Sequence, residues 1–325
     1  MPKIEEILNW FEENGKTIVK NEVNLHQQID RPRAIDECTV SNISFLGAKY
    51  ADKIDEVLST TNCIIVFIDQ VIIASHDLTQ FSDIAFILSE DPKSDLILFC
   101  DYFLKYKTQK ESESIDVSAV IAQNVTIGKA VEIGANVVIE ENVIIGDYCS
   151  IGPNTILKAG TELSNYVEIG SCNVIGGVGF GYSQNNNEEY EQFPHYGVVV
   201  LKDHVHIGNN TCIDRGSLSD TILYEGVKVD NLVHIAHNVK IGKNSLIIAQ
   251  SMIAGSAVIG ENCWIAPGSC VRNAVTIGNN VMVGLASTVT KDIPDNAVFM
   301  GNPAMPIEDF KILRKMQKES IAKLK

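Results

Sequence analysis

A period of six residues runs through more than half of this 325-residue chain. Aliphatic residues recur at every sixth position from Ile121 to Ile175, from Leu201 to Ile213 and, after a four-residue slip, from Leu223 to Val289. An α-helix has about 3.6 residues per turn, so positions six apart drift off its face. A short strand ending in a tight turn, with one aliphatic side chain pointing inward, fits this spacing. Three such rungs close a triangular coil, and stacked coils bury a column of aliphatic side chains.

Two segments interrupt the repeat. Residues 176–200 form a polar stretch rich in Gly, Asn and Glu, and residues 214–226 carry the sequence DRGSLSDTILYEG. A long polar loop in a compact array is usually functional or disordered. We therefore expect the long segment over 176–200 to be functional or disordered.

The segments that flank the repeat lack its register. IEEILNWFEENG predicts a short amphipathic helix that ends at Gly15, while NCIIVFID and QVIIASHD predict buried strands. SDLILFCDYFLKYK predicts a strand or the edge of a helix, and the tail IEDFKILRKMQKESIAKLK has helical spacing. The chain is thus predicted to be mainly β. The expected organisation is an α/β domain over 1–107, a linker over 108–114, the repeat array over 115–295 with its loop at 176–200, and a C-terminal extension and helix over 296–325.

Charge and composition exclude several classes of protein. Lys and Arg total 26 against 41 Asp and Glu, a formal net charge of −15, which disfavours nucleic-acid phosphates and anionic membranes as partners. No apolar run approaches the roughly 20 residues of a membrane span. Acids in MPKIEEILNWFEENGK occupy the place of a basic signal-peptide region, so we expect a cytoplasmic protein. The eight cysteines form no CxxC pair, and we expect buried free thiols rather than zinc ligands.

The histidines are clustered. Five of the seven lie between residues 195 and 237, namely His195, His204, His206, His234 and His237. His237 follows the inward Ile235 by two residues, which places it near a coil corner. Imidazole titrates near neutrality, so it can accept a proton from an amine that attacks a thioester. We predict that His237 is a general base and that a backbone N–H stabilises the oxyanion.

Several segments around these histidines resemble one family. GGVGFGY, FPHYGVVVLKDHVHIGNNTCIDRGSLSDT, VDNLVHIAHNVKIG and MIAGS are similar to segments of the hexapeptide-repeat UDP-3-O-acylglucosamine N-acyltransferases of lipid A biosynthesis and their nucleotide-amino-sugar relatives. The resemblance implies a left-handed parallel β-helix, with an N-terminal α/β nucleotide-binding domain and a C-terminal helix. It implies that His237 is the general base, that Gly255 supplies the oxyanion N–H, and that Asp230 and Asn231 orient or support the base. It also implies a homotrimer with active sites between neighbouring β-helices.

The resemblance also implies how the substrates bind. The family holds a uracil ring with aromatic residues in a segment like ISFLGAKY, which corresponds to Phe45 and Tyr50 here. We add His195 and His234 as candidate substrate-binding residues. No metal and no permanently bound cofactor is expected. The acyl group would arrive as a thioester on a 4′-phosphopantetheine arm, carried by CoA or by acyl carrier protein.

Some positions depart from the family. Ala274, in CVRNAVTIG, stands about where lipid A enzymes often carry a second histidine, and the C-terminal tail is short. These departures favour a relative that acylates another nucleotide-linked amino sugar, with a short acyl-CoA as donor. Lipid A synthesis and a separate surface-glycan pathway both remain open, as does the choice between UDP and dTDP.

We weigh three functions against the sequence. The first is an N-acyltransferase that acts on the amine of a nucleotide-linked amino sugar. The second is a non-catalytic trimeric β-helix that binds a sugar nucleotide, and the retained IAHN and AGS segments argue against it. The third is an O-acyltransferase, since the same base could activate a hydroxyl group.

Overall fold

The computed structural model describes residues 1–73, 76–105 and 113–324. The chain divides into two compact units, Met1–Gln109 and Lys110–Lys325. Most of the linker expected over residues 108–114 lies outside the described residues.

The N-terminal unit is a five-stranded sheet with helices. The strands run in the order β1-β5-β4-β3-β2; β2 to β5 are parallel neighbours, and β1 pairs antiparallel with β5. The strands are β1 (Ile18–Val19), β2 (Arg31–Pro32), β3 (Asn42–Leu46), β4 (Ile65–Asp69) and β5 (Ala85–Ser89). The α-helices are α1 (Ile4–Glu13), α2 (Ile54–Thr60), α3 (Gln70–Ile73) and α4 (Pro92–Phe103), with 3-10 turns at Ile35–Glu37, Ala48–Lys53 and Leu78–Gln80.

Helix α1 follows from its apolar spacing. It buries Ile4, Ile7, Leu8 and Phe11, which share one helical face. Gly15 has a φ of 84°, a conformation that favours glycine and stops the helix. The predicted short amphipathic helix is confirmed.

One predicted strand in this unit is wrong. QVIIASHD begins with helix α3 rather than a strand, and Ala74 and Ser75 lie outside the described residues. The Asp69 carboxylate accepts the Val71 N–H at 3.0 Å and turns the chain into a helix immediately after β4. An apolar run this short fits a strand and a buried helical turn equally well, so periodicity alone could not decide.

The second unit is a stacked coil with three flat faces. Strands 18 residues apart pair in parallel, as Ile139 does with Leu157, so each coil contains three hexapeptides. Face A comprises Val120–Ile121, Val138–Ile139, Ile156–Leu157, Val174–Gly177, Cys212–Asp214, His234–Ile235, Met252–Ile253, Cys270–Val271 and Thr288–Val289. Face B comprises Thr126–Ile127, Ile144–Ile145, Glu162–Leu163, Val199–Leu201, Thr221–Leu223, Lys240–Ile241, Val258–Ile259 and Thr276–Ile277.

The third face closes the coil. Face C comprises Ser114–Ile115, Glu132–Ile133, Ser150–Ile151, Glu168–Ile169, His206–Ile207, Lys228–Val229, Leu246–Ile247, Trp264–Ile265, Met282–Val283, Val298–Met300 and Met305–Pro306. A C-terminal helix, α5 (Ile307–Leu324), follows the last strand. The described chain contains no helix that is long and apolar enough to cross a membrane.

The inward column agrees with the sequence. Every predicted inward aliphatic from Ile133 to Val289 belongs to one buried cluster, while Ile121 and Ile127 at its open end are half-buried. The predicted mainly β fold, a left-handed parallel β-helix of hexapeptide repeats, is confirmed.

The corners explain the remaining sequence pattern. Residues three positions after the inward aliphatic have a positive φ, as at Asn136, Asn154 and Asn280, and asparagine tolerates this conformation better than most residues. The glycines directly after the inward aliphatic have a different cause, namely the close approach of the backbone of the next coil. A Cβ on Gly152 would lie 2.6 Å from the Gly170 carbonyl carbon of the next coil.

The cysteines are free thiols, as expected, but not all are buried. Cys212 points outward from face A, and Cys172 occupies a positive-φ corner, so both are exposed. Alternation along a strand exposes every second side chain whatever its polarity.

A matched pair on one strand tests the inward column. Ile259 is buried and the adjacent Val258 is exposed. We expect Ile259→Ala to lower the free energy of unfolding by roughly 2–5 kcal/mol, because it leaves a cavity between coils. Val258→Ala should cost less than about 1 kcal/mol. Thermal or urea unfolding of the two variants checks this, and equal losses would contradict the assigned orientation.

Candidate active site

Both interruptions of the repeat leave the coil at the same corner. Residues 176–200 leave after the face A strand Val174–Gly177, form an antiparallel hairpin, and return in face B at Val199–Leu201. The second insertion leaves one coil later, after Cys212–Asp214, and returns at Thr221–Leu223. His237 occupies the A-to-B corner of the next coil. The two interruptions and His237 therefore lie at the same corner of successive coils.

A cleft of about 390 Å³ lies at this corner. The cleft is lined by polar groups and by small side chains of successive coils. Its lining comprises Phe180, Asp214, His234, Ala236, His237, Met252, Ala254, Gly255, Ser256, Asn273 and Ala274. Of the residues predicted from the sequence, His237, Gly255 and His234 meet in this cleft.

Asn238 fixes the orientation of the His237 ring. The Asn238 Oδ1 lies 2.8 Å from His237 Nδ1 and also accepts the Ser217 N–H and hydroxyl, at 3.2 and 2.8 Å. The Asn238 Nδ2 donates to the Ser219 carbonyl at 2.9 Å. Because the Ser217 N–H can only donate and the Ser219 carbonyl can only accept, the amide cannot be flipped.

This arrangement selects one tautomer of neutral His237. An amide oxygen only accepts, so His237 Nδ1 must carry the proton that it shares with Asn238. The lone pair is then on Nε2, which is the state a general base requires. Both serines belong to the second interruption, which thereby supports the base through Asn238.

Gly255 lies directly against the His237 ring. A Cβ at this position would stand 2.6 Å from His237 Cε1 and 2.7 Å from Nε2, so only glycine fits. The Ala274 N–H donates to the Gly255 carbonyl at 3.0 Å, whereas within the described part of the chain the Gly255 N–H donates to no acceptor. An unpaired N–H beside the free nitrogen of the base is suited to stabilise an oxyanion.

A carboxylate that sequence reasoning missed lies in the cleft. Asp214 Oδ2 is 3.7 Å from His234 Nε2, and its side chain is 16% exposed. Burial raises the pKa of Asp214 above its usual value, and the neighbouring His234, His237 and His195 oppose that rise. Asp214 directly follows the inward Ile213 where the repeat breaks, and this place in the sequence was the available signal.

His195 reaches the base from the long loop. Its ring meets that of His237 edge to face, with centroids 5.4 Å apart. Its Nδ1 lies 2.7 Å from the Phe193 carbonyl, so Nδ1 carries a proton, and Nε2 is buried without a partner in the described structure. Gly179 permits this approach, because a Cβ there would stand 2.8 Å from His195 Nε2. Within the described residues, no group of three or more His, Cys, Asp or Glu side chains could hold a metal ion.

Asp230 and Asn231 do not line this cleft. The Asp230 carboxylate accepts the N–H groups of Asn231 and Ala249 at 2.7 and 3.2 Å, and Asn231 Oδ1 accepts the Asn209 N–H at 2.8 Å. These bonds tie neighbouring coils together at the corner after face C. Within one chain, Asn238 rather than this pair orients His237, and a role for Asp230 and Asn231 across a subunit boundary stays a prediction.

Phe45 and Tyr50 pack in different places. Phe45 on β3 packs against the cluster that contains Phe67, whereas Tyr50 packs against the cluster that contains Phe86. Since neighbouring strand residues point to opposite sides of a sheet, the two clusters lie on its two faces. Their joint role around a uracil ring stays a prediction.

Comparison with known proteins agrees with the fold and the repeat. The family model described as bacterial transferase hexapeptide (six repeats) matches residues 124–159 and 256–291. A UDP-N-acetylglucosamine acyltransferase from Campylobacter jejuni covers 59% of this chain and 73% of its own, with a TM-score of 0.55 and 21% identity. A second one, from Francisella novicida, also has a TM-score of 0.55, over 59% of this chain and 69% of its own at 21% identity. The second unit therefore has the fold of a left-handed β-helix built from hexapeptide repeats.

Curated relatives are more specific. The chain is 59% identical over 134 residues to a UDP-3-O-acylglucosamine N-acyltransferase from Methylacidiphilum infernorum, which is 41% of this chain and 38% of the relative. It is 49% identical over 155 residues to the enzyme of that name from Rickettsia akari, 46% of this chain and 44% of the relative. These matches span less than half the length of each relative. The resemblance to this group, predicted from the sequence, is confirmed.

The tautomer of His237 can be measured directly. We expect neutral His237 to carry its proton on Nδ1, and Asn238→Ala to shift it toward the Nε2–H form, because the accepting amide oxygen is lost. Long-range ¹H–¹⁵N correlation spectra of histidine-labelled protein distinguish the two forms. Asn244→Ala is the control, since Asn244 has the same positive φ at a corner one hexapeptide further along. If the tautomer of His237 is unchanged in Asn238→Ala, the Asn238 amide does not select it.

Proposed function

We propose that this protein is an N-acyltransferase, which moves an acyl group from a phosphopantetheine thioester to the amine of a UDP-linked glucosamine derivative. The observation that carries the proposal is the pairing of His237 Nε2, held as a free base by Asn238, with the unpaired N–H of Gly255 in one cleft. The curated relatives support the acceptor class, since they are named UDP-3-O-acylglucosamine N-acyltransferases.

The reaction follows from these two groups. The amine nitrogen attacks the thioester carbonyl carbon, and the carbonyl π pair moves onto oxygen, where the Gly255 N–H stabilises the negative charge. His237 Nε2 removes a proton from the nitrogen as the bond forms. The C–S bond then breaks, and the His237 imidazolium returns the proton to the thiolate sulfur. Amide and thiol are the products, and the enzyme is unchanged.

The cleft leaves room for an acyl chain. Ala236, Ala254 and Ala274 present small side chains on successive coils, and Phe180 and Met252 supply apolar surface. The thioester arm is carried by CoA or by acyl carrier protein, and its acyl length depends on how deep the assembled cleft becomes. The uracil ring would bind at the N-terminal unit through Phe45 and Tyr50. The product would serve lipid A or another surface glycan.

Loss of the base tests the mechanism. We expect His237→Ala to lower kcat by roughly two to four decades, the usual scale for removal of a general base. The measurement is mass spectrometry of UDP-3-O-acylglucosamine incubated with 3-hydroxyacyl carrier protein and, separately, with acetyl-CoA and 3-hydroxybutyryl-CoA. His206→Ala is the control, since His206 lies on face C with its side chain 51% exposed. Turnover near that of the wild type in His237→Ala would exclude this base.

Assembly into a homotrimer is part of the proposal. Phe180 is among the residues that line the cleft, yet its side chain is 86% exposed within a single chain. Face C also stacks three exposed apolar residues, Trp264, Met282 and Val298, one above another. We expect light scattering to give the mass of three 35.6-kDa chains. A monomer with full activity would contradict a cleft shared between subunits.

A further inference from the structure

The corner that carries His237 holds a second proton-accepting group. Asp214 is the carboxylate that lines the cleft, at the point where the register shifts between Ile175 and Gly177. Asp214 directly follows the inward aliphatic residue of its coil. The equivalent positions of the next two coils are Ala236 and Ala254, whose small side chains leave the space in front of Asp214 open. A carboxylate in such a place faces whatever occupies the cleft.

Asp214 has no permanent cation. Among the residues that the structure describes, its ion-pair partner within 4 Å is His234, which is charged only when protonated. The adjacent Arg215 is turned away, because its guanidinium donates to the carbonyls of Gly176 and Ala159. The titratable groups that face Asp214 are thus His234, His237 and His195. The carboxylate is largely buried, with its side chain 16% exposed, and it can pair with a cation brought by a ligand.

An amine acceptor brings that cation. Near neutral pH a sugar amine exists largely as an ammonium ion, which has no lone pair and cannot attack a thioester. The ammonium must lose one proton before attack and a second one in the tetrahedral intermediate. His237 Nε2 can take only one of them in each turnover. If the acceptor binds as the ammonium ion rather than as the free amine, N-acyl transfer at this corner needs a second acceptor, which O-acyl transfer does not.

We propose that Asp214, supported by His234, binds the acceptor as its ammonium ion and receives the first of these two protons. This inference rests on the proposed N-acyltransferase function and assigns Asp214 the recognition of an amine over a hydroxyl group. The Asp214 carboxylate takes a proton from R–NH₃⁺ and leaves R–NH₂, which attacks as described above. The proton on Asp214 then leaves to solvent through His234, whose side chain is 45% exposed. Ammonium and thioester give amide, thiol and one released proton, so charge and atoms balance.

Binding in the absence of acyl donor tests this assignment. The probes are UDP-3-O-acylglucosamine and UDP-3-O-acylglucose, which differ only in an amine or a hydroxyl at C2, and the method is isothermal titration calorimetry at pH 7. We expect Asp214→Asn to lower the affinity for the amine ligand by roughly tenfold or more, which is the scale of one hydrogen bond to a charged group. Its affinity for the hydroxyl ligand should change less than about twofold. Asp203→Asn, an isosteric change at the corner after face B, should change neither.

The pH dependence gives a second measurement. Protonation of Asp214 removes its attraction for an ammonium ion, so KM for the amine acceptor should rise on the acid side in the wild type. In Asp214→Asn, KM should be high and should lack this rise, while thermal unfolding shows that the variant is folded. His234→Gln should change the rise of KM at acid pH without abolishing binding of the amine acceptor.

The outcomes separate this inference from the proposed function. If the wild-type protein binds neither nucleotide, the acceptor class fails and this inference fails with it. Suppose that the wild type transfers acyl groups but Asp214→Asn lowers the affinities for the amine and hydroxyl ligands equally, or lowers neither. Then Asp214 does not bind the ammonium ion, while the proposed function stands. A selective loss of affinity for the amine ligand supports the role of Asp214.

Discussion

The parallel pairing of each strand with the equivalent strand of the next coil, 18 residues later outside the insertions and the last coil, holds the second unit together. This pairing sets every coil directly on the last one, so that inward aliphatics such as Ile235 and Ile253 form a continuous column. A residue at one corner then lies above the equivalent residue of the next coil. His237 and Gly255 are such a pair, and their contact is a consequence of the coil spacing rather than of a separate loop.

The same stacking brings the residues of the site together at one corner. At the corner after face C, glycines such as Gly152 and Gly170 follow the aliphatic, since stacked backbones there leave no room for a Cβ. At the corner after face A, Asp214, Ala236 and Ala254 follow the inward aliphatics of successive coils and line one cleft. Both insertions leave the coil at this corner. Ser217 and Ser219 from the second insertion hold Asn238, so this insertion fixes the side chain that orients His237.

The sequence predicted the coil because a six-residue period leaves few alternatives. It singled out His237 because five histidines cluster between residues 195 and 237 and this one follows the inward Ile235 by two residues, and the structure places it in the cleft. It failed where an outcome depends on three-dimensional contacts. The turn of QVIIASHD into a helix depends on a single bond from the Val71 N–H to Asp69. Asp214 was missed because the register shift at Gly177, next to which it stands, is marked in the sequence only by the break in the repeat. The predicted role of Asp230 and Asn231 stays a prediction, since within one chain they bond along another corner.

The two proton acceptors of the cleft are kept distinct by their surroundings. Asn238 keeps the neutral His237 proton on Nδ1, so Nε2 offers a lone pair toward Gly255. The pKa of Asp214 depends on its neighbours instead. Burial raises this pKa above its usual value, and three neighbouring histidines oppose the rise, so a charged ligand in the cleft changes the ionisation of Asp214. An incoming ammonium ion would add a positive neighbour and stabilise the carboxylate until the proton is transferred. Neutralisation of the amine then removes the attraction that held the ion, which leaves the nucleophile free to move toward the thioester.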